Sequence, residues 1–130
     1  MKEPVWITTE IILAIQEDLL ARFGGLSGLR DSGLLESALH RPQQAFNYGA
    51  PSLFELAAAY ATGIIRNHPF LDGNKRAGFM AAYVFLGANG WEIDATEADV
   101  VLQTLGLAAG EINEAAYAQW LARVSTPASS

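Results

Sequence analysis

The chain has 130 residues, of which 51% are hydrophobic, and carries a net charge of −6. A chain of this length forms one domain with a core of ordinary size, and its apolar content excludes a disordered protein. It has no cysteine, which excludes a disulfide framework and a thiolate metal site. We predict a single domain over residues 1–130, with a frayed tail at about 125–130.

The charge distribution favours a small anionic ligand. Extended contact with nucleic acid is built from clustered Lys and Arg, which an acidic chain lacks, so we expect no direct binding to nucleic acid. The N-terminal residues show no secretory pattern and no apolar run approaches the ~18 residues of a membrane span, so we expect a cytoplasmic protein without membrane contact. Although the chain is acidic, three of its eight basic residues fall in one short window, namely Arg66, Lys75 and Arg76. This local cluster of positive charge is what favours a small anionic ligand.

The first predicted helix starts at a threonine cap, Thr8 or Thr9, and carries apolar residues at helical spacing. Gly24-Gly25 ends it. The glycine-rich run 24–28 superficially resembles a nucleotide-binding loop, but no strand precedes it. We therefore interpret this run as a helix terminator.

A second, shorter helix is predicted from Asp31 or Ser32 to about Leu39, with Pro42 marking its exit. The following residues 46–51 contain Asn, Gly and Pro and are typical of a loop.

Capping residues and stop signals predict four further helices, which gives an all-α fold of about six helices. Pro69 disfavours helical geometry at His68 and so ends the third helix there. The fourth is almost continuously apolar, which predicts the central, most buried helix. The predicted starts are Ser52 with Glu55 as a capping box, Gly73 or Asn74, Thr96 and Asn113.

Residues 68–76, His-Pro-Phe-Leu-Asp-Gly-Asn-Lys-Arg, carry the chemistry. They join the third helix to the first turn of the fourth, where free backbone N–H groups and the helix dipole attract anions. His68 is a natural general base for a hydroxyl nucleophile. Asp72 is the one carboxylate there and, with phosphate oxygens, suits Mg²⁺. The phosphate-binding candidates are Gly73, Asn74, which could also fix the loop, Lys75 and Arg76.

The same stretch contains no serine, threonine or cysteine that could act as a nucleophile. We therefore predict direct transfer of a phosphate-bearing group to a hydroxyl on another molecule, without a covalent enzyme intermediate.

The motif His-Pro-Phe-x-Asp-Gly-Asn followed by a basic pair resembles the core motif of the Fic/Doc superfamily. Within it, the chain is most similar to the death-on-curing (Doc) branch of type II toxins. Lys75 stands where nucleotidyl-transferring Fic proteins usually have glycine, and Arg66 matches a phosphate-binding arginine of Doc toxins. Phe79 occupies the place of the second Fic arginine. Residues 30–42 are similar to the upstream segment of the Doc branch.

The resemblance implies a toxin that transfers the γ-phosphate of ATP to a threonine hydroxyl, with Mg²⁺ as cofactor. The implied target is translation elongation factor Tu, whose modification would arrest translation. Two alternatives stay open: a Fic-type adenylyl transferase, and a catalytically silent module that acts only by binding protein.

Two further features are implied by the resemblance. A cognate antitoxin would restrain the toxin by folding a disordered tail onto it, which requires an apolar groove. A target-positioning flap, which could take the form of a short β-hairpin, would precede the third helix at Asn47, Tyr48 and Gly49 and pair with an extended peptide.

Overall fold

A computed structural model describes residues 2–128 and confirms the all-α class. Six helices form one bundle, and two short strands pair at its edge. The elements are α1 (Thr9–Phe23), α2 (Ser32–Asn47), α3 (Leu53–Asn67), α4 (Asn74–Ala88), β1 (Trp91–Ile93), α5 (Glu97–Ala109), α6 (Glu114–Arg123) and β2 (Ser125–Pro127).

Helix α4 begins at Asn74 as predicted, although no side chain caps it. The other five predicted helix starts are confirmed by hydrogen bonds at their caps. In each case the capping side chain accepts a hydrogen bond from a backbone N–H three residues further on, which satisfies a donor that the helix cannot pair. The capping box of α3 is complete, because the Glu55 side chain also accepts from the backbone N–H of Ser52. The capping residues are Thr8, Asp31, Ser52, Thr96 and Asn113.

The central helix is α3, so the prediction that α4 is the most buried helix is wrong. Residues 56–65 are all buried, and α3 contacts α2, α4, α5 and α6. Small residues permit this close packing on every side. A Cβ at Gly63 would lie 3.2 Å from Ala38 of α2, and one at Gly78 of α4 would lie 2.8 Å from Ile65. Helices α3 and α4 contain the same number of hydrophobic residues, so their position in the bundle, and not their composition, decides which is more buried.

Helix α2 continues through Pro42 to Asn47, so the predicted exit at Pro42 is wrong. Proline removes one hydrogen bond inside a helix, to the carbonyl of Ala38 in this case. Pro42 itself is buried, and one turn later Phe46 packs edge-on against Trp6 with ring centroids 5.6 Å apart. The burial of Pro42 and the packing of Phe46 offset the lost hydrogen bond. Because α2 extends to Asn47, its connection to α3 consists only of residues 48–52.

The two strands form at the C-terminal end of the described chain. Strand β2 pairs antiparallel with β1, with Ser125 opposite Ile93, and the backbone N–H of Ala128 donates to Gly90 at 2.9 Å. The prediction of a frayed tail is therefore wrong for residues 125–127, while residues 129–130 lie outside the described part. The possible β-hairpin before α3 does not form, because residues 47–52 hold the end of α2 and a turn.

Among the described residues, no helix is both long enough and apolar enough to span a lipid bilayer.

Candidate active site

The junction between α3 and α4 places His68 at the protein surface. His68 caps the C-terminus of α3 with left-handed backbone angles (φ 54°, ψ 53°), and its N–H still donates to Ile64 at 3.1 Å. Among residues 2–128 it is the one non-glycine residue with positive φ. Such a conformation costs roughly 1–2 kcal/mol and persists only where neighbouring contacts impose it. Pro69 prevents the helix from continuing, and the turn directs the exposed imidazole away from the core.

The side chain of Asn74 stabilises this turn. It is buried, its Oδ1 accepts from the backbone N–H of Phe70 at 2.9 Å, and its Nδ2 donates to the Phe70 carbonyl at 3.0 Å. The second Nδ2 hydrogen faces His68 Nδ1 at 3.1 Å. All polar atoms of the amide are thus used inside the protein, so the described contacts make Asn74 a support for the loop and for His68.

The same bonds determine where the neutral imidazole carries its proton. Because the Phe70 N–H fixes Oδ1, the Asn74 amide can only present a donor to His68 Nδ1. Nδ1 therefore accepts, and the proton of the neutral ring resides on Nε2, the nitrogen not used by Asn74.

The N-terminus of α4 is open to an anion. Gly73 caps the helix with φ 76°, and no side chain bonds to the first helical N–H groups. Unpaired N–H groups at a helix start attract phosphate oxygens. Asp72 stands beside this end with an exposed side chain, its Oδ1 accepting from the N–H of Gly73 at 3.0 Å.

The donor set fits a magnesium ion that is held partly by its ligand. Within residues 2–128, no three His, Cys, Asp or Glu side chains cluster as a protein-only metal site. Mg²⁺ typically takes one or two carboxylates and completes its shell with phosphate oxygens and water. Asp72 could supply that carboxylate, since its Oδ2 has only a long contact of 3.4 Å, with the N–H of Leu26.

The three candidate cations do not converge on one point. Arg76 lies over the ring of Phe23, with Cζ 4.4 Å from the ring centroid. Lys75 instead lines a cavity of about 330 Å³ with α5, and Arg66 lines another of about 440 Å³ with Arg41 of α2 and residues of α6. Lys75 and Arg76 diverge because successive helical residues point in directions ~100° apart.

The proposed flap residues Asn47, Tyr48 and Gly49 lie at the opposite end of α3 from His68. They precede its first turn, whereas the motif follows its last. A helix of 15 residues is about 22 Å long, so this loop is not brought to the motif.

Helix α1 contributes a residue that the sequence did not reveal as functional. Gln16 is only 4% exposed, and its Nε2 donates to the carbonyl of Asp72 at 2.7 Å. A signal was present: Gln16 is polar, yet it lies four residues after Ile12 and three before Leu19 on the buried stripe of α1. A polar side chain at a core position needs a partner, and here that partner is the motif.

The segment after α1 forms a second support. The N–H groups of Arg30 and Asp31 donate to the carbonyl of Pro69, and the Arg30 guanidinium donates to the carbonyls of Asn67 and His68 at 2.7 and 2.6 Å. Gly25 has φ 122°, and a Cβ there would lie 2.9 Å from Asp72 Oδ2. The glycine-rich run therefore ends α1, as predicted, and also packs against the motif, a contact that no local sequence pattern indicates.

Comparisons with known proteins agree with this arrangement. A family model described as Fic/DOC family matches residues 6–86, which includes α1 to α3 and the motif. The chain is 36% identical over 121 residues to the "Protein kinase doc" of Escherichia phage P1, covering 91% of this chain and 94% of that protein. It is also 44% identical over 87 residues to the "Toxin Doc" of Mycolicibacterium smegmatis, covering 62% of this chain and 66% of that protein.

The family match covers more than half of the chain, and the phage relative aligns with almost all of it. The Doc branch indicated by Lys75, Arg66 and Phe79 agrees with both relatives. The chain thus belongs to the Fic/DOC family, in its Doc branch.

Proposed function

We propose that this protein is a Doc-type toxin that transfers the γ-phosphate of ATP to a threonine hydroxyl of elongation factor Tu, with Mg²⁺ as cofactor. The observation that carries the proposal is the position of an exposed His68 next to the N-terminus of α4, to which no side chain bonds, with Asp72 between them in the chain. The phage relative, named a protein kinase, supports a phosphoryl transfer. Modification of this target would arrest translation and places the activity in the cytoplasm.

The phosphates of ATP would lie at the first turn of α4. Free N–H groups following Gly73 and the guanidinium of Arg76 would bind phosphate oxygens, and Asp72 would supply the carboxylate that holds Mg²⁺. When bound, such an ion would neutralise phosphate charge that otherwise repels an incoming nucleophile. Lys75 and Arg66 add positive charge from the flanking cavities, at a distance from this centre.

His68 would take the proton of the target hydroxyl. A base must offer a lone pair, whereas the bond from Asn74 leaves the proton of the neutral ring on Nε2. We therefore propose that the imidazole breaks its contact with Asn74 when the target approaches. This frees Nδ1 to accept the proton, or lets the ring proton move to Nδ1 so that Nε2 can accept it. The exposure of His68 leaves room for this movement.

Phosphoryl transfer is favoured over adenylyl transfer by the neighbours of the motif. Fic adenylyl transferases grip the nucleotide with a second arginine, and Phe79 stands in its place. The Phe79 ring packs towards Trp120 of α6, with centroids 6.4 Å apart, and brings no charge to the site. Lys75 at the usual glycine position would further disfavour the adenylyl-transferring orientation of the nucleotide.

The surface beside the motif suits an extended target segment. Residues 28–31 lie alongside residues 69–71, joined by a β-bridge between Leu29 and Phe70. Exposed apolar side chains flank this pairing, namely Leu26, Leu29 and Leu71. We assign target positioning to this segment because it touches the motif, unlike the turn at residues 47–49.

An antitoxin partner follows from the toxin assignment of the smegmatis relative, extended here to this chain. Helix α5 exposes three apolar side chains, Val101, Leu102 and Leu105, at 49%, 68% and 50%. Exposed apolar clusters of this kind commonly mark protein contacts, and an amphipathic tail segment could cover them.

The test is incubation with ATP, Mg²⁺ and elongation factor Tu, followed by intact-mass measurement of the target. A phosphoryl increment is expected. His68→Ala should abolish it, and the matched control His40→Ala should not, because His40 is the other histidine and lies exposed on α2. An adenylyl increment would contradict the proposed kinase activity and indicate nucleotidyl transfer. Unmodified target would instead favour a module that acts by binding alone.

A further inference from the structure

Phe23, the last residue of α1, has an unusual environment for a phenylalanine. Its side chain is 56% exposed, yet the face of its ring is covered by the guanidinium of Arg76, with Cζ 4.4 Å from the ring centroid. An exposed aromatic ring contributes little to a core, so packing does not explain its place. The negative face of the ring attracts a cation, most strongly when the cation is planar and can stack.

The end of α1 is held in a fixed position relative to α4. Gln16 donates to the carbonyl of Asp72, and the N–H of Leu26 contacts the Asp72 carboxylate. Between these two contacts, the N–H of Gly24 closes the last turn of α1 by donating to Leu20 at 2.8 Å. The backbone at Phe23 is therefore anchored on both sides relative to the first turn of α4.

The charge of Arg76 remains available for a ligand. No carboxylate within residues 2–128 forms an ion pair with it, whereas the nearby Arg22 is paired with Asp18 at 3.1 Å. Contact with the ring occupies the face of the guanidinium and leaves the N–H groups at its edge, which are the groups that bind phosphate oxygens.

We propose that Phe23 is a positioning residue that orients Arg76 for the phosphates of ATP before the nucleotide binds. The proposal rests on the proposed function, because it takes Arg76 as a phosphate ligand. Without the ring, the long side chain of Arg76 would sample many rotamers and lose that freedom only on binding. The contact should therefore lower the KM for ATP and leave the chemical step unchanged.

The test compares Phe23→Leu with Phe23→Tyr in the phosphoryl-transfer assay. Leucine retains apolar bulk but has no ring face, whereas tyrosine retains the ring. A cation–π contact at an exposed site predicts that Phe23→Leu raises the KM for ATP about two- to fivefold with little change in kcat. Phe23→Tyr should have the same KM for ATP as the wild-type protein. Leu13→Ala, which trims another exposed apolar side chain of α1, is the control and should have no effect.

A double-mutant cycle with Arg76→Ala supplies the decisive comparison. In the Arg76→Ala background, Phe23→Leu should cause no further rise in KM, because its effect acts through the guanidinium. The proposal would be overturned by any of three results: additive effects of the two substitutions, an unchanged KM for ATP in Phe23→Leu, or a raised KM for ATP in Phe23→Tyr.

Calorimetric binding of Mg·ATP separates this proposal from the proposed function. If the protein binds Mg·ATP but modifies no target, the kinase function fails, and the Phe23 proposal is decided by Kd. A two- to fivefold weaker Kd in Phe23→Leu, as estimated for the contact, supports it, and an equal Kd overturns it. Absence of nucleotide binding would overturn both.

Discussion

Asn74→Ala is the substitution that best tests how the turn at the site is held together. The side chain makes two hydrogen bonds to Phe70 and one contact to His68 Nδ1, all between 2.9 and 3.1 Å. Alanine would remove all three at once. We expect a loss of stability and a loss of activity, each with a separate cause.

The loss of stability follows from the burial of Phe70, which is 1% exposed. Its N–H loses the Asn74 acceptor and its carbonyl loses the Asn74 donor. A buried polar group left without a partner costs about 1–3 kcal/mol, so two such groups predict a decrease of about 3 kcal/mol in the free energy of unfolding. That is a substantial part of the 5–15 kcal/mol, roughly, that stabilises a typical domain.

The loss of activity follows from the release of His68. A catalytic group displaced by about 1 Å can lose about 100-fold in rate, so kcat should fall by about that factor. NMR of the His68 ring nitrogens gives an independent readout. Wild-type protein should show an unprotonated Nδ1 in the neutral ring, and Asn74→Ala should show a mixture of both tautomers.

Asn89→Ala is a matched control for this experiment. Asn89 lies just after α4 and also makes three side-chain bonds, to Val5 and Phe85, but far from the motif. It should lose less stability in urea, because the exposed Val5 can exchange its lost bonds for water, and it should keep its kcat at a temperature where the protein is folded. If Asn74→Ala were as stable as wild type, or if Asn89→Ala lost the same activity, the reasoning would be refuted.

Two further predictions concern a glycine of the site and the buried tyrosines. Gly25→Ala should raise the Mg²⁺ concentration needed for activity, because its Cβ would meet the Asp72 carboxylate at 2.9 Å. Gly24→Ala is the control. Gly24 has φ 76° but no atom within 4 Å of an added Cβ, so this substitution should show backbone strain alone. A normal Mg²⁺ requirement in Gly25→Ala would contradict the packing of this loop. Burial raises the pKa of Tyr60 and of Tyr117 from 10.0 to about 12, although hydrogen bonds partly oppose the shift. Because the unfolded tyrosines ionise first, the stability they provide is complete below pH 10 and is lost between pH 10 and about 12, by on the order of 1 kcal/mol per pH unit for each. Urea unfolding across this pH range should show that slope, and Tyr117→Phe should reduce it by half.

The features that the sequence predicted correctly are local ones. A cap needs only a side-chain oxygen and the N–H three residues later, so Ser52 with Glu55, or Asn113, can be recognised without knowledge of the rest of the fold. The break between α3 and α4 is equally local, because Pro69 acts on its immediate neighbour.

The features that it missed depend on partners distant in the chain. Whether Pro42 ends α2 depends on what its ring and Phe46 bury, and Phe46 packs on Trp6, forty residues earlier. The pairing of β2 with β1 likewise joins Ser125 to Ile93. Neither partner can be identified from a local window, so a helix was predicted too short and a paired strand was predicted as a frayed tail.

In the candidate site, too, the local part was predictable and the contacts from distant residues were not. Those distant contacts also explain why the family match begins well before the motif. Residues 68–76 could be recognised because they are contiguous, but their supports come from around Gln16, Phe23 and Leu26, about fifty residues earlier. If the motif alone were the functional unit, a match beginning near α3 would be sufficient. The match instead runs over residues 6–86, from just before α1 to within α4. The matched region includes α1, whose contacts reach Asp72 and Arg76, so the family model covers the motif together with its supports, while α5 and α6 complete the core and line the flanking cavities.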